Sequence, residues 1–375
     1  MTRWIAPDLL FDGETLRRGL ALPVTEGVTG APVALAEAPT AQPLPGILTP
    51  GFVDLQVNGG GGVLLNQTPT PEGMAAIAAA HRRLGTAAIL PTLITDAPEV
   101  LDRAASAAIA AKGQKGIAGL HIEGPHIAAA RRGTHAERFI RPLDARTLDT
   151  VQSLRAHGVR VLITLAPEAC APGQIAALAA MGAVVSIGHS DTTADHVRAA
   201  IAEGAGCFTH LFNAMSPLLH RAPGVVGAAL NSRVPAGIIC DGIHVADELV
   251  GLAIRARPAP DLMFLVSDAM PTVGGPDRFR LYDMDLHLDH GRLVNTEGSL
   301  AGAHVTMADS VARLVSAVGV PLETALRMAV TTPARVIGAP ALASIAGRPL
   351  DEINHLDESG RFTGPLSQRA ETLAA

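Results

Sequence analysis

Glu123, His189 and His210 have the residue types and placement to do chemistry together. Each is reached at the end of a short β-type apolar run: HIEGPHI at 121–127, SIGHSDTT at 186–193 and FTHLFNAMSPLLH at 208–220. One carboxylate and two imidazoles form a His₂Glu set, a ligand chemistry of hydrolytic zinc sites. A fourth run, MFLVSDAM at 263–270, reaches Asp268, a carboxylate suited to moving protons beside such a metal. Any one of the four alone would more often be structural. Four at four strand ends form a joint pattern.

These residues need a scaffold that delivers strand ends to one place. Strand-like runs fall near 51–57, 86–91, 117–122, 160–165, 184–187, 207–210, 236–240 and 263–267. Helical stretches at 71–84, 97–112, 174–181 and 194–203 separate several of them. Alternation of this kind implies a parallel sheet, and eight such units predict an α/β fold of the (β/α)8 TIM-barrel type. In that barrel, catalytic groups sit at the C-terminal ends of strands, where all four residues fall. The first 48 residues are short β pieces broken by Gly and Pro, ending in the connector APTAQPLPG. After helical regions at 305–317 and 321–337, short strands return at 346–366. We expect residues 1–48 and 340–375 to form a small β-sandwich domain, and 49–339 the metal-dependent catalytic barrel. The glycine-rich run VNGGGGVLLN (57–66) lacks the GxGxxG frame of a nucleotide loop.

Composition narrows the class. The 375 residues are 48% hydrophobic and 17% charged, which predicts a soluble globular protein with a large core. Only 3% are aromatic, so Ala, Val, Leu and Ile must fill that core. A net charge of -6 argues against nucleic acid as a partner. MTRWIAPDLL lacks a signal-peptide core, and no run has the ~18 apolar residues of a membrane span. A cytoplasmic location without membrane contact is expected. Cys170, Cys207 and Cys240 are scattered and read as reduced, packed thiols.

Gln56 and Asn58 end the first strand, where metal-binding barrels often carry His-x-His. Carboxamides are weak neutral ligands, so these two are read as partners of loops or of a water. No lysine lies near the end of the fourth strand to bridge a second ion; the only lysines are Lys112 and Lys115. Both absences argue for one metal. Zinc fits the ligands, and iron, cobalt or manganese are compatible. Arg221, in the Pro/Gly-rich loop NAMSPLLHRAPG, suits a phosphate or carboxylate, with a solvated loop arginine the equal alternative. His244 and His135 lie in loops at the same barrel face. Asp191 is read either as a support behind His189 or as the N-cap of the helix over 192–203, with the cap preferred, and Arg131 and Arg132 as a solvated run. His81, His157 and His196 are read as structural groups facing solvent or the outer shell.

The motifs GFVDLQVNGGGG, GLHIEGPHI, RGTH, GHSDTT, THLFNAMSPLLHRAPG, CDGIHV and SDAM together resemble the N-acetylglucosamine-6-phosphate deacetylases of the amidohydrolase superfamily. The resemblance runs from about Leu48 to Ile337. It implies metal ligation by Glu123, His189 and His210, and acid/base action by Asp268. It also implies that His135 polarises the amide carbonyl and that Asn213, Ala214, Arg221 and His244 hold a sugar phosphate. Arg221 is then expected to reach the site of a neighbouring subunit, so a homodimer follows. Ala222 and His126 depart from the family pattern, which bears on substrate preference. The implied reaction is metal-dependent hydrolysis of the acetamido group of N-acetyl-D-glucosamine 6-phosphate. Another amidohydrolase chemistry, on a cyclic amide or an aminopurine, is the first alternative. Such enzymes usually use the His-x-His pair that is missing here. A non-catalytic barrel scaffold is the second alternative, against which stand three retained ligands and an acid/base.

Overall fold

The computed structural model describes residues 2–295, 298 and 300–370. Residues 371–375 of the expected C-terminal segment lie outside them. Eight parallel strands run in sequential order around a barrel: Phe52–Val57, Thr86–Ile94, Leu120–Glu123, Val161–Leu165, Val184–Ile187, Cys207–Phe208, Ala236–Ile238 and Met263–Leu265. We call these barrel strands one to eight. The ring is nearly closed. Strands one and eight meet where Val57 bridges Ala269 and the Asp268 amide donates to the Gln56 carbonyl at 3.0 Å.

The strands are short, buried and largely apolar because both faces are covered, one by the barrel interior and one by helices. Helices Pro71–Arg83 and Ala194–Glu203 start where a threonine hydroxyl, Thr70 or Thr193, accepts a backbone amide of the first turn. The expectation that Asp191 caps the second of these is therefore corrected: Thr193 does so. Helices Ala145–Ala156, Gly224–Asn231 and Asp247–Ala256 complete crossovers between later strands. A polar belt crosses the barrel interior, with Ser186, Thr209, Thr164 and His121 hydrogen-bonded in sequence beneath the strand ends.

A separate eight-stranded sheet joins the two ends of the chain. Strand Gln42–Pro50 lies between Thr2–Phe11, parallel, and Ile353–Leu356, antiparallel, with Ile353 opposite Pro50. Its own core includes Ile5, Leu22, Leu48 and Ile353. A three-stranded antiparallel sheet, Arg278–Leu281, Met284–Asp289 and Arg292–Asn295, is inserted after the eighth barrel strand. Leu281, Leu286 and Leu293 seat it against Leu64, Ile94 and Met270 beside the strand ends.

The glycine-rich run has a packing role. A Cβ at Gly59 would come within 2.4 Å of the Val63 carbonyl oxygen, and one at Gly60 within 2.7 Å of His81 Nε2. His81 is not on the outside: it is buried under this loop, 2.9 Å from the Gly59 carbonyl.

Candidate active site

The strand ends open into a cavity of 190 Å³. Asn58, Glu123, His135, His189, His210, Asn213, Ala214, His244 and Asp268 all line it. Gln56 lies just beneath, and Arg221 is exposed and outside it.

Glu123 is the last residue of strand three, and His189 and His210 each lie two residues past a strand. His189 and Asp268 adopt left-handed backbone angles, with φ of 49° and 52°, as do Phe212 at 80° and Ala214 at 52°. Non-glycine residues held there carry strain that the surrounding fold must impose, and such strain gathers at functional sites. Glu123 Oε1 lies 3.2 Å from His189 Nε2 and 3.0 Å from His210 Nε2, and the two nitrogens are 3.0 Å apart. All three side chains are buried. A hydrogen bond between two imidazole nitrogens uses the in-plane lone pair of the acceptor alone, because the donor nitrogen carries a proton. A cation about 2.0–2.2 Å from each of the three atoms engages all of them. The donor set therefore fits a divalent ion.

The surroundings orient these side chains. His189 donates from Nδ1 to the Arg131 carbonyl at 2.8 Å, which turns Nε2 toward the cluster. Arg131 is held by Asp191 at 2.7 Å, so Asp191 and Arg131 support the orientation of His189 and are not free surface groups. His210 Nδ1 is buried without a hydrogen-bond partner among the described residues.

Gln56 and Asn58 do more than bond loops. Gln56 Nε2 donates to Glu123 Oε1 at 2.8 Å and to Asp268 Oδ1 at 3.1 Å, and Asn58 Nδ2 donates to Asp268 Oδ1 at 2.7 Å. Burial, reinforced by the Glu123 charge, pushes the Asp268 carboxyl up to about 6. Burial also pushes Glu123 upward, but bonds to His189 and His210 outweigh it and hold Glu123 well below the ordinary range. The two carboxylates are thus pushed apart in proton affinity, Glu123 toward the anion and Asp268 toward exchanging a proton. His135 is pushed down to about 3 by burial and the neighbouring His189, so its ring is neutral. Its ring centroid lies 4.4 Å from that of His189.

His244, also in the cavity lining, donates from Nδ1 to Asp241 Oδ2 at 2.6 Å, while Asp241 Oδ1 accepts the amides of Ile243 and His244. This turns His244 Nε2 away from Asp241. Asp54, two residues before Gln56, is bonded to the Ser267 hydroxyl and pushed up to about 7 by burial. Neither Asp54 nor Asp241 stood out in the sequence. His126 lies outside the cavity lining. Its Nε2 is 2.9 Å from Thr147 Oγ1, which ties the third-strand loop to a helix.

The model of the amidohydrolase family matches residues 47–346, which contain every residue of this site. The chain belongs to the amidohydrolase family. This amidohydrolase is 42% identical over 347 residues to an N-acetylgalactosamine-6-phosphate deacetylase of Shewanella sp. (strain ANA-3), covering 90% of this chain and 87% of that one. It is 37% identical to the human N-acetylglucosamine-6-phosphate deacetylase, over 78% of this chain and 75% of that one. The crystal structure of N-acetylglucosamine-6-phosphate deacetylase from Pasteurella multocida superposes with a TM-score of 0.89 at 31% identity, covering 97% and 98% of the two chains. Members of this superfamily are generally metal-dependent, which agrees with the buried Glu/His/His cluster. No helix among the described residues is long and apolar enough to cross a membrane.

Proposed function

We propose that the protein hydrolyses the acetamido group of N-acetyl-D-glucosamine 6-phosphate to D-glucosamine 6-phosphate and acetate, a step of amino-sugar breakdown. The observation that carries this reading is the shared Gln56 donor, which sets a proton-exchanging carboxylate, Asp268, beside a three-ligand metal cluster in one cavity. Hydrolysis of an amide needs a stronger nucleophile than water and a protonated leaving amine. A divalent ion held by Glu123, His189 and His210, zinc by ligand type, would acidify a water and polarise the carbonyl. Asp268 takes a proton from the attacking water and later gives it to the leaving nitrogen, the exchange that its raised proton affinity suits. His135 donates to the carbonyl oxygen as negative charge develops there. Asn213, Ala214 and His244 hold the sugar phosphate along the cavity wall.

Arg221 completes the phosphate site from a neighbouring subunit. Its own cavity does not include it, and the adjoining Leu218 and Leu219 are 52% and 54% exposed, an apolar tip suited to burial in a homodimer. We assign residues 1–48 with 340–375 to a small supporting domain and 49–339 to the catalytic barrel. We place the enzyme in the cytoplasm, in keeping with its three unpaired cysteines.

The galacto epimer is the second reading, because the Shewanella relative is more similar than the human one. Steady-state kinetics on both 6-phosphates, on unphosphorylated N-acetylglucosamine, and after chelation and zinc re-addition test the proposal. Turnover should need both the phosphate and the metal. Indifference to the phosphate would count against this substrate class.

A further inference from the structure

Thr95 follows the second barrel strand and is 1% exposed. Its hydroxyl lies 2.6 Å from His135 Nδ1. The other acceptor in reach, the Glu123 carbonyl, is 3.5 Å away, beyond the ordinary range for a hydroxyl donor. The good bond of this hydroxyl is therefore the one to the ring. A neutral imidazole carries its proton on one nitrogen, and the partner at the other nitrogen decides which. A hydroxyl that donates to Nδ1 leaves the proton on Nε2.

Two further observations centre on the same residue. A Cβ at Gly124 would lie 2.2 Å from Thr95 Oγ1, so the glycine after Glu123 makes room for this hydroxyl. The Tyr282 phenol donates to the Thr95 carbonyl from the inserted sheet. Arg138, on the loop that carries His135, lies 5.7 Å from the Tyr282 ring centre and 3.3 Å from Asp283. Loop, inserted sheet and strand end thus meet at Thr95.

We propose that Thr95 is a positioning residue for the hydrolysis: its hydroxyl holds His135 as the Nε2–H tautomer, which presents a hydrogen-bond donor to the substrate amide carbonyl. This rests on the deacetylase reading above. The hydroxyl acts through His135 and need not touch substrate.

Nitrogen NMR of the zinc-loaded protein, labelled at histidine, reads the tautomer without turnover. The His135 pair should show a protonated Nε2 and a bare Nδ1 in the wild type, and lose that uniform pattern in Thr95→Val. The reverse pattern in the wild type overturns the proposal. Kinetics on N-acetylglucosamine 6-phosphate should show kcat falling about tenfold or more in Thr95→Val, with KM within about threefold, and most of the loss recovered in Thr95→Ser. The deficit should shrink on the N-trifluoroacetyl analogue, whose carbonyl needs less polarisation. An unchanged kcat in Thr95→Val overturns the proposal while leaving the deacetylase reading intact. A wild type that does not deacetylate overturns that reading, and this inference with it.

Discussion

Gln56 donates through Nε2 to Asp268 Oδ1 at 3.1 Å, and the same nitrogen reaches Glu123 Oε1 at 2.8 Å. One neutral amide thus stands between two buried carboxylates. It satisfies an acceptor on each and separates their charges without adding one of its own. Removing it would take one donor from each oxygen, leaving Asp268 Oδ1 to Asn58 alone, and would remove the neutral group between two carboxylates in a poorly solvated site. Gln56→Leu should weaken metal binding by about 10–100-fold. Competition with a chelator measures this. Unchanged affinity would show that the bridge is incidental.

Asp268→Asn keeps the size and position of the side chain but removes its ability to accept a proton. Glu123, His189 and His210 are untouched, so metal content should stay near one ion per chain. Turnover should drop by about 10²–10⁴-fold. Elemental analysis and kinetics on the same preparation check both halves. A variant with near-full activity would place the proton transfer elsewhere.

Much of the architecture was legible because the barrel strands are largely apolar runs, and four of them reach Glu123, His189, His210 or Asp268 within three positions of their ends. Helix and strand also alternate with the spacing of parallel units. Strand bounds were less legible. The sixth strand is only Cys207–Phe208, since pairing stops two residues before His210. The inserted sheet was missed, although RFRLYDMDLHLDHGRLVN alternates polar and apolar residues around a His-Gly turn. The cluster at the strand ends was legible from residue type. Its supports were not: Thr95 meets His135 across 40 residues and Asp54 meets Ser267 across 213, contacts that no local pattern encodes. His81 was misplaced for a related reason. A helical histidine gives no sign of its burial until Gly59 and Gly60 are folded onto it.

That burial has a consequence for acid stability. Burial pushes the His81 imidazole from 6.5 down to about 4, against a smaller opposing effect of its bond to the Gly59 carbonyl. Between those two values the unfolded chain binds a proton that the native protein refuses. Unfolding therefore takes up a proton, and stability declines as the pH falls from about 6.5 toward 4. The full difference is worth about 3 kcal/mol. His81→Gln can still offer a donor to Gly59 but does not titrate. Denaturant unfolding at pH 7 and at pH 4.5 should show a smaller loss in the variant than in the wild type. Equal losses would mean that His81 is protonated without penalty.

Arg221 makes no hydrogen bond or ion pair among the described residues and lies outside the cavity of its own chain. If it serves a neighbouring subunit, two crippled subunits can repair each other. Arg221→Ala should raise KM for the phosphorylated substrate about tenfold or more, as expected for loss of a charged hydrogen bond to phosphate. Asp268→Asn should have little turnover of its own. In a mixed dimer, the site of the Arg221→Ala chain keeps its Asp268 and receives the intact arginine of the Asp268→Asn chain. Co-refolding the two variants should restore turnover with a wild-type KM in part of the population. If Arg221 instead acts within its own chain, neither site of the mixed dimer is complete. The mixture would then show only the sum of the two defective activities.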